Sequence, residues 1–144
     1  MNLITSIIVG VLAGVSSYYI SQRLKKGPVY GSVVVTFIAG LLFTVLESIG
    51  INGALDLAVV AATASYAGMV GNMYVKNLLE MSVVSIITSI LYMSSTNLFV
   101  GIGGRLGVIA AVSCFAFIGL KRIYKYKYIQ SVKNQLKKSE DCLY

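Results

Sequence analysis

Few side chains in this sequence suit acid–base or metal chemistry. The chain has no histidine, and its carboxylates are Glu47, Asp56, Glu80, Glu140 and Asp141. Without histidine there is no Ser-His-Asp or Cys-His catalytic arrangement and no His-ligated zinc or haem. The two cysteines, Cys114 and Cys142, lack metal-ligand spacing. We therefore expect a protein that is not an enzyme and that has no metal and no cofactor.

Three ionisable residues that border apolar runs are the candidate site residues. In the topology that the charge distribution predicts, Glu47 lies about one turn inside the outer end of the second helix, Asp56 opens the third and Arg105 opens the fifth, all on the outer side of the membrane. Ionisable groups at such positions often mark the path of a solute. One hypothesis is an outward-facing mouth that binds an ion or a small polar solute, with Glu47 as a proton acceptor.

The alternative interpretation of these three residues is interfacial. The helix macrodipole favours a carboxylate such as Asp56 in a first helical turn. Glu47 then reaches the headgroups, and Arg105 pairs with a lipid phosphate. A third arrangement pairs Arg105 with the two carboxylates through charge-assisted hydrogen bonds. The sequence leaves these arrangements open.

The composition indicates the elements that must position these residues. Hydrophobic residues make up 57% of the 144-residue chain, charged residues make up 12%, and the mean hydropathy is +0.82. A soluble domain carries about 25% charged residues. Disorder requires low hydrophobicity and high charge, so it is excluded as well. The sequence therefore predicts a small integral membrane protein.

The charged residues divide the chain into five apolar segments. A helix needs about 20 apolar residues to cross the hydrocarbon of a bilayer. The predicted spans are about 3–22, 28–48, 54–75, 80–100 and 102–120. The expected fold is an all-α integral membrane helical bundle with five transmembrane helices. Residues 1–120 form a single transmembrane domain, and 121–144 form a basic tail.

The distribution of lysine and arginine sets the orientation, because these residues collect on the cytoplasmic side. With the N-terminus outside and the C-terminus cytoplasmic, Arg105 is the only one of the 12 basic residues outside. If the fifth segment did not cross, the seven basic residues from Lys121 to Lys138 would move outside. The sequence thus predicts a multi-pass protein of the cell membrane with a cytoplasmic tail.

The tail interleaves lysines with tyrosines, a pattern that can bind nucleic acid through phosphates and base stacking. A basic segment directly after a transmembrane helix more simply attracts anionic lipid headgroups, at about 1 kcal/mol per residue. We therefore predict that the bilayer and its anionic lipid headgroups are partners of the tail, and that nucleic acid is not.

Small and hydroxylated residues give the remaining signals. Gly10 with Gly14, and Gly103 with Gly107, form GxxxG pairs, which let helix backbones approach closely. Hydroxyl groups in the third and fourth helices either bond to backbone, bond between helices or line a solute path between the two.

Two functions remain open. The first is a small oligomeric transporter or channel for an ion or small polar solute, since five short helices enclose little volume. The alternative is a non-transporting accessory or structural subunit of a larger membrane complex. The expected protein partners are accordingly further copies of this chain or that complex.

Overall fold

A computed structural model gives the fold and describes residues 3–24, 27–70, 74–95 and 104–141. At 23–24 and 131–141 it describes the backbone alone. The elements in chain order are α1 (Leu3–Leu24), α2 (Pro28–Ser48), α3 (Ala54–Ala67), α4 (Leu78–Ser94) and α5 (Arg105–Asp141). The described ranges contain helices and no strand, so the predicted all-α class is confirmed.

Three of the helices are long and apolar enough to cross a membrane. They are α1 over Leu3–Gln22, α2 over Pro28–Ser48, and α5 over Arg105–Gln130. These helices support the prediction of a membrane protein.

The other two helices, α3 and α4, are apolar but shorter, with 14 and 17 residues. At 1.5 Å per residue they extend about 21 and 26 Å, against about 30 Å of hydrocarbon. Helix α3 ends at Ala67 and α4 at Ser94, whereas the predicted spans run to 75 and 100. The remainder of those spans includes 71–73 and 96–100, which lie outside the described residues.

Glycine and proline set the ends of the first helices. Gly27 has φ +100° and Pro28 is the first residue of α2, where its missing N–H costs nothing. Gly50 and Gly53, also at positive φ, form the turn between α2 and α3. Both turns lie where the sequence predicts short connections.

The chain divides into two compact units, Met1–Cys114 and Phe115–Tyr144. In the first unit, α3 packs against α1, α2 and α4, while α1 packs against α2 and α4 as well. Every residue of α3 from Val60 to Ser65 is buried. Helix α3 is therefore a central helix surrounded by others. The second unit consists of the rest of α5, which extends without a break to Asp141.

Close packing of α1 against its neighbours depends on small residues. An added Cβ at Gly10 would overlap Ser89 Oγ, and one at Gly14 would overlap Ser85 Oγ. A Cβ at Gly68 would lie 2.9 Å from Ser17 Oγ. The first GxxxG pair is thus a packing motif, as predicted. In the second pair Gly103 is outside the described residues, and an added Cβ at Gly107 meets nothing within 4 Å.

Candidate functional site

Glu47, near the end of α2, caps the N-terminus of α3. Its Oε2 accepts a hydrogen bond of 3.1 Å from the backbone N–H of Leu55, in the first turn of α3. The N-cap residue of α3 is Gly53, which offers no side-chain cap. The four first N–H groups of a helix lack partners inside it, so a carboxylate from the preceding helix serves as the cap. Glu47 therefore has a structural role at the end of α2.

Asp56 also lies in the first turn of α3, and its side chain is exposed. A negative charge is favourable at this end of a helix. Its position agrees with the interfacial interpretation of this residue.

Arg105 differs from the two carboxylates because it is half-buried and directed at other helices. Its Nη2 donates a hydrogen bond of 3.2 Å to the carbonyl oxygen of Ser95, at the end of α4. Its Cζ lies 5.5 Å from the ring centroid of Tyr92, whose side chain is only 6% exposed. The Nε of Arg105 is buried and has no hydrogen-bond partner. Among the described residues the guanidinium thus rests on an aromatic face and has one neutral acceptor, the carbonyl oxygen of Ser95.

The three candidate residues do not form an ion-paired cluster. Within the described part of the chain, Arg105 makes no ion pair with Glu47 or Asp56. Glu47 accepts a hydrogen bond from the backbone of Leu55, and Arg105 donates one to Ser95 O. Among the described residues the arginine is therefore without a paired carboxylate.

The segment between α4 and α5 adds no counter-ion. Residues 96–103, with the sequence TNLFVGIG, contain no charged side chain. Their structure is outside the described residues, as are Thr96, Asn97 and most of the glycine-rich run before Arg105. The charge of Arg105 consequently has no neutralising group in the neighbouring sequence.

The hydroxyl groups between α3 and α4 bond to their own helices. Thr63 donates to Val59 O at 2.7 Å, Thr88 to Val84 O at 2.8 Å and Ser89 to Ser85 O at 2.9 Å. All three donors are at most 1% exposed. Because each hydroxyl is satisfied within its helix, these residues need no water. Of the predicted alternatives, bonding to the backbone of the same helix is the one observed for them.

Hydrogen bonds between helices occur instead where α1, α2 and α3 meet. Ser17 Oγ donates to Ser65 O at 3.0 Å, and the hydroxyls of Thr36 and Ser65 are 2.7 Å apart. Tyr18 donates to Val75 O at 2.7 Å and ties α1 to the segment before α4. These bonds hold the bundle together at its centre.

The described residues of the first unit line two open apolar grooves. One, of about 530 Å³, is lined by Tyr66, Met69, Val70, Gly107, Ala110, Ala111 and Cys114. The other, of about 410 Å³, lies between α1 and α2 and includes Val9, Ala13, Val35 and Phe43. Among the described residues no group of three or more His, Cys, Asp or Glu side chains is placed to hold a metal ion.

Sequence reasoning missed the partner of Arg105. Tyr92 lies within the predicted span 80–100, but nothing in the sequence joins it to Arg105. No spacing signal links them, because α4 and α5 are separate helices whose contact is set by tertiary packing. The only sequence feature that indicates this contact is the presence of a mid-span tyrosine close in sequence to a solitary arginine.

Comparison with known proteins gives no relative: no family, no curated protein and no solved structure matches the chain.

Proposed function

We propose that the chain is a multi-pass protein of the cell membrane with five spans, its N-terminus outside and its C-terminus in the cytoplasm. The distribution of basic residues supports this topology. The central position of α3 supports it too, since a helix surrounded by other helices need not match the hydrocarbon thickness by itself.

A reporter fused after Tyr144 tests the topology. We expect activity of a cytoplasmic reporter at this position and at Lys76, and activity of a periplasmic reporter after Asn52. Periplasmic activity at Tyr144 would contradict five spans.

For the activity, we propose a small oligomeric transporter or channel that admits a small anion at its outer end through Arg105. The observation that carries this proposal is the inward-facing guanidinium over Tyr92, with no paired carboxylate among the described side chains. A partly buried charge without a counter-ion is costly. An anion offers the charge-assisted hydrogen bonds that a single carbonyl oxygen does not.

The path of the anion lies between copies of the chain. Inside one copy, Ser85 and Ser89 fill the space beside Gly14 and Gly10, and the hydroxyls of Thr63, Thr88 and Ser89 are buried and bonded within their own helices. A continuous polar route between α3 and α4 therefore has no support in the described residues. An oligomer provides the enclosed volume that one bundle lacks.

Thermal unfolding of the purified protein in detergent tests anion binding. We would compare sodium chloride, nitrate, phosphate and acetate with sodium gluconate at constant ionic strength. Specific binding raises Tm in proportion to the logarithm of ligand concentration above Kd. We expect one or more of the anions to raise Tm, R105Q to abolish the shift, and R105K to retain part of it.

Lys76 provides a charge-matched control, because its side chain is exposed before α4. K76Q should keep the full anion response. The absence of a shift with every anion, or an equal shift in R105Q, would exclude this site. Efflux of the same anion from proteoliposomes then separates transport from binding alone.

The alternative function, a non-transporting subunit of a larger membrane complex, is favoured by a different observation. Apolar grooves are open on the surface of the first unit. Small residues such as Gly107 and Ala111 in such a groove suit close contact with another transmembrane helix. This function predicts a partner that co-purifies in mild detergent and a Tm that no anion changes, whereas homo-oligomers alone would contradict it.

A further inference from the structure

The second unit concentrates positive charge next to the end of the apolar part of α5. Lys121, Arg122, Lys125 and Lys127 follow directly after Leu120. All residues from Lys121 to Gln130 are exposed, and no carboxylate lies among them. We call these four basic residues the collar. Three further lysines, Lys133, Lys137 and Lys138, lie later in the same helix and form the distal group.

The unbroken helix fixes how far each group lies from the apolar segment. With 1.5 Å of rise per residue, the collar lies within about 10 Å of Leu120 along the helix axis. The distal group begins at about 20 Å and ends at about 27 Å. A typical tilt of about 20° shortens these distances by only about 6%. Electrostatic attraction is screened over about 8 Å at physiological salt, so an anionic surface at the helix boundary acts on the collar alone.

The collar does not form one stripe, because one of its four residues lies opposite the other three. At 100° per residue, Lys121 and Lys125 lie close to one direction, Arg122 lies about 60° beyond Lys125, and Lys127 lies on the opposite side. A helix that binds one groove of a nucleic acid or one acidic protein presents its charges on one face. Lipid headgroups, by contrast, are available on every side of a membrane helix. The arrangement therefore fits lipids better than a single macromolecule.

Aromatic residues occur in the same segment of α5 as the collar. Tyr124, Tyr126 and Tyr128 alternate with the collar, and they are 80%, 65% and 68% exposed. Tyrosine is enriched at membrane–water interfaces, where its ring and hydroxyl meet different environments. The Nζ of Lys121 lies 5.9 Å from the ring centroid of Phe117, one turn back toward the apolar segment. This pattern is typical of the level at which headgroup phosphates lie.

We propose that the collar binds the phosphate groups of anionic lipids such as phosphatidylglycerol, and that the distal group takes no part. This inference is independent of anion transport, since it uses residues far along the chain from Arg105. It goes beyond the general attraction of a basic tail because it assigns the binding to four residues and excludes three others of the same charge.

Lipid selectivity of the full-length protein tests the assignment. The protein is reconstituted in phosphatidylcholine vesicles, and electron paramagnetic resonance measures the association of spin-labelled phosphatidylglycerol relative to spin-labelled phosphatidylcholine. One variant replaces the collar, K121Q/R122Q/K125Q/K127Q, and a matched control replaces the distal group, K133Q/K137Q/K138Q. Protease accessibility of a C-terminal tag verifies the orientation of each variant.

We expect the wild type to prefer phosphatidylglycerol by about fivefold, the equivalent of about 1 kcal/mol for a lysine or arginine near the surface. The collar variant should lose this preference and the control should keep it. In 0.5 M salt the wild type should lose it as well, a result that does not depend on how a variant inserts.

Three results would overturn the proposal. The first is a wild type that shows no preference for phosphatidylglycerol. The second is an equal loss of this preference in the collar and distal variants, and the third is a wild-type preference that persists in 0.5 M salt. A single-stranded RNA that displaces spin-labelled phosphatidylglycerol at physiological salt would instead assign the collar to nucleic acid.

Discussion

Gly14 of α1 lies so close to Ser85 of α4 that an added Cβ would overlap the serine Oγ. The same Cβ would lie 3.2 Å from Ala64 O of α3. Gly14 therefore permits α1 to contact two helices at once. Close approach of this kind replaces the hydrophobic driving force that is absent between helices in lipid.

G14A should accordingly destabilise the bundle, because the new methyl group forces α1 away from α3 and α4. We expect a loss of about 1–3 kcal/mol, the usual cost of overpacking a close contact. Thermal or denaturant unfolding in detergent measures it. The control is G40A in α2, where an added Cβ meets nothing within 4 Å. This change should be neutral or slightly stabilising.

The double variant G14A/S85A assigns the loss to one contact. Removing Ser85 Oγ removes the nearest overlapping atom, so the double variant should recover part of the stability that G14A loses. Strictly additive effects of the two changes would show that the serine is not the obstacle.

A second prediction concerns the cap that Glu47 provides. E47A should remove the acceptor of the Leu55 N–H and cost about 0.5–2 kcal/mol, as the loss of other N-caps does. Hydrogen exchange should then accelerate by about fivefold per kcal/mol in the first turn of α3. Glu80 offers the matched control, since its Oε2 accepts a bond of 3.0 Å from the backbone N–H of Lys76 before α4. E80A should accelerate exchange before α4 and leave α3 unchanged.

The helix ends show what the sequence could predict. Pro28–Ser48 agrees with the predicted span 28–48 because Gly27 and Pro28 leave few alternatives for the chain. The predicted third span extends to 75 because the run up to that residue is uncharged, but α3 ends before Gly68. Charge marks where an apolar run ends, but it does not show where the helix within that run ends. Helix α5 continues through the basic residues because neither Gly nor Pro follows Gly119.

The candidate site was predicted only in part, for a related reason. Sequence position places Glu47, Asp56 and Arg105 near helix ends, and each is found at one. The sequence does not determine which groups they contact. The bond from Leu55 to Glu47 and the ring of Tyr92 beneath Arg105 depend on how separate helices pack.

A third prediction tests whether the hydroxyls of α4 line a solute path. Thr88 is fully buried, and its Oγ1 bonds only to Val84 O within the helix. T88V preserves the shape of the side chain and removes one hydrogen bond to the backbone of the same helix. The free energy of unfolding, followed through Tm, should therefore change by less than about 1 kcal/mol. Anion efflux from proteoliposomes should stay at the wild-type rate. A large fall in efflux with unchanged stability would place Thr88 on the path and contradict closure between α3 and α4.

The fourth prediction concerns the ring that supports Arg105. A guanidinium over an aromatic face gains about 0.5–2 kcal/mol. Y92F keeps the ring and should retain both the stability and the anion response of the wild type. Y92L removes the ring and should weaken the anion response, since the guanidinium is no longer held in place.

Leucine also changes the packing at this buried position, so the single variant does not isolate the arginine. Unfolding of Y92L, R105Q and the double variant measures the coupling between the two residues. We expect a coupling of about 0.5–2 kcal/mol, comparable to the cation–π contact. Additive losses would mean that Tyr92 acts only by filling space, and Arg105 would then owe its inward orientation to the carbonyl of Ser95 alone.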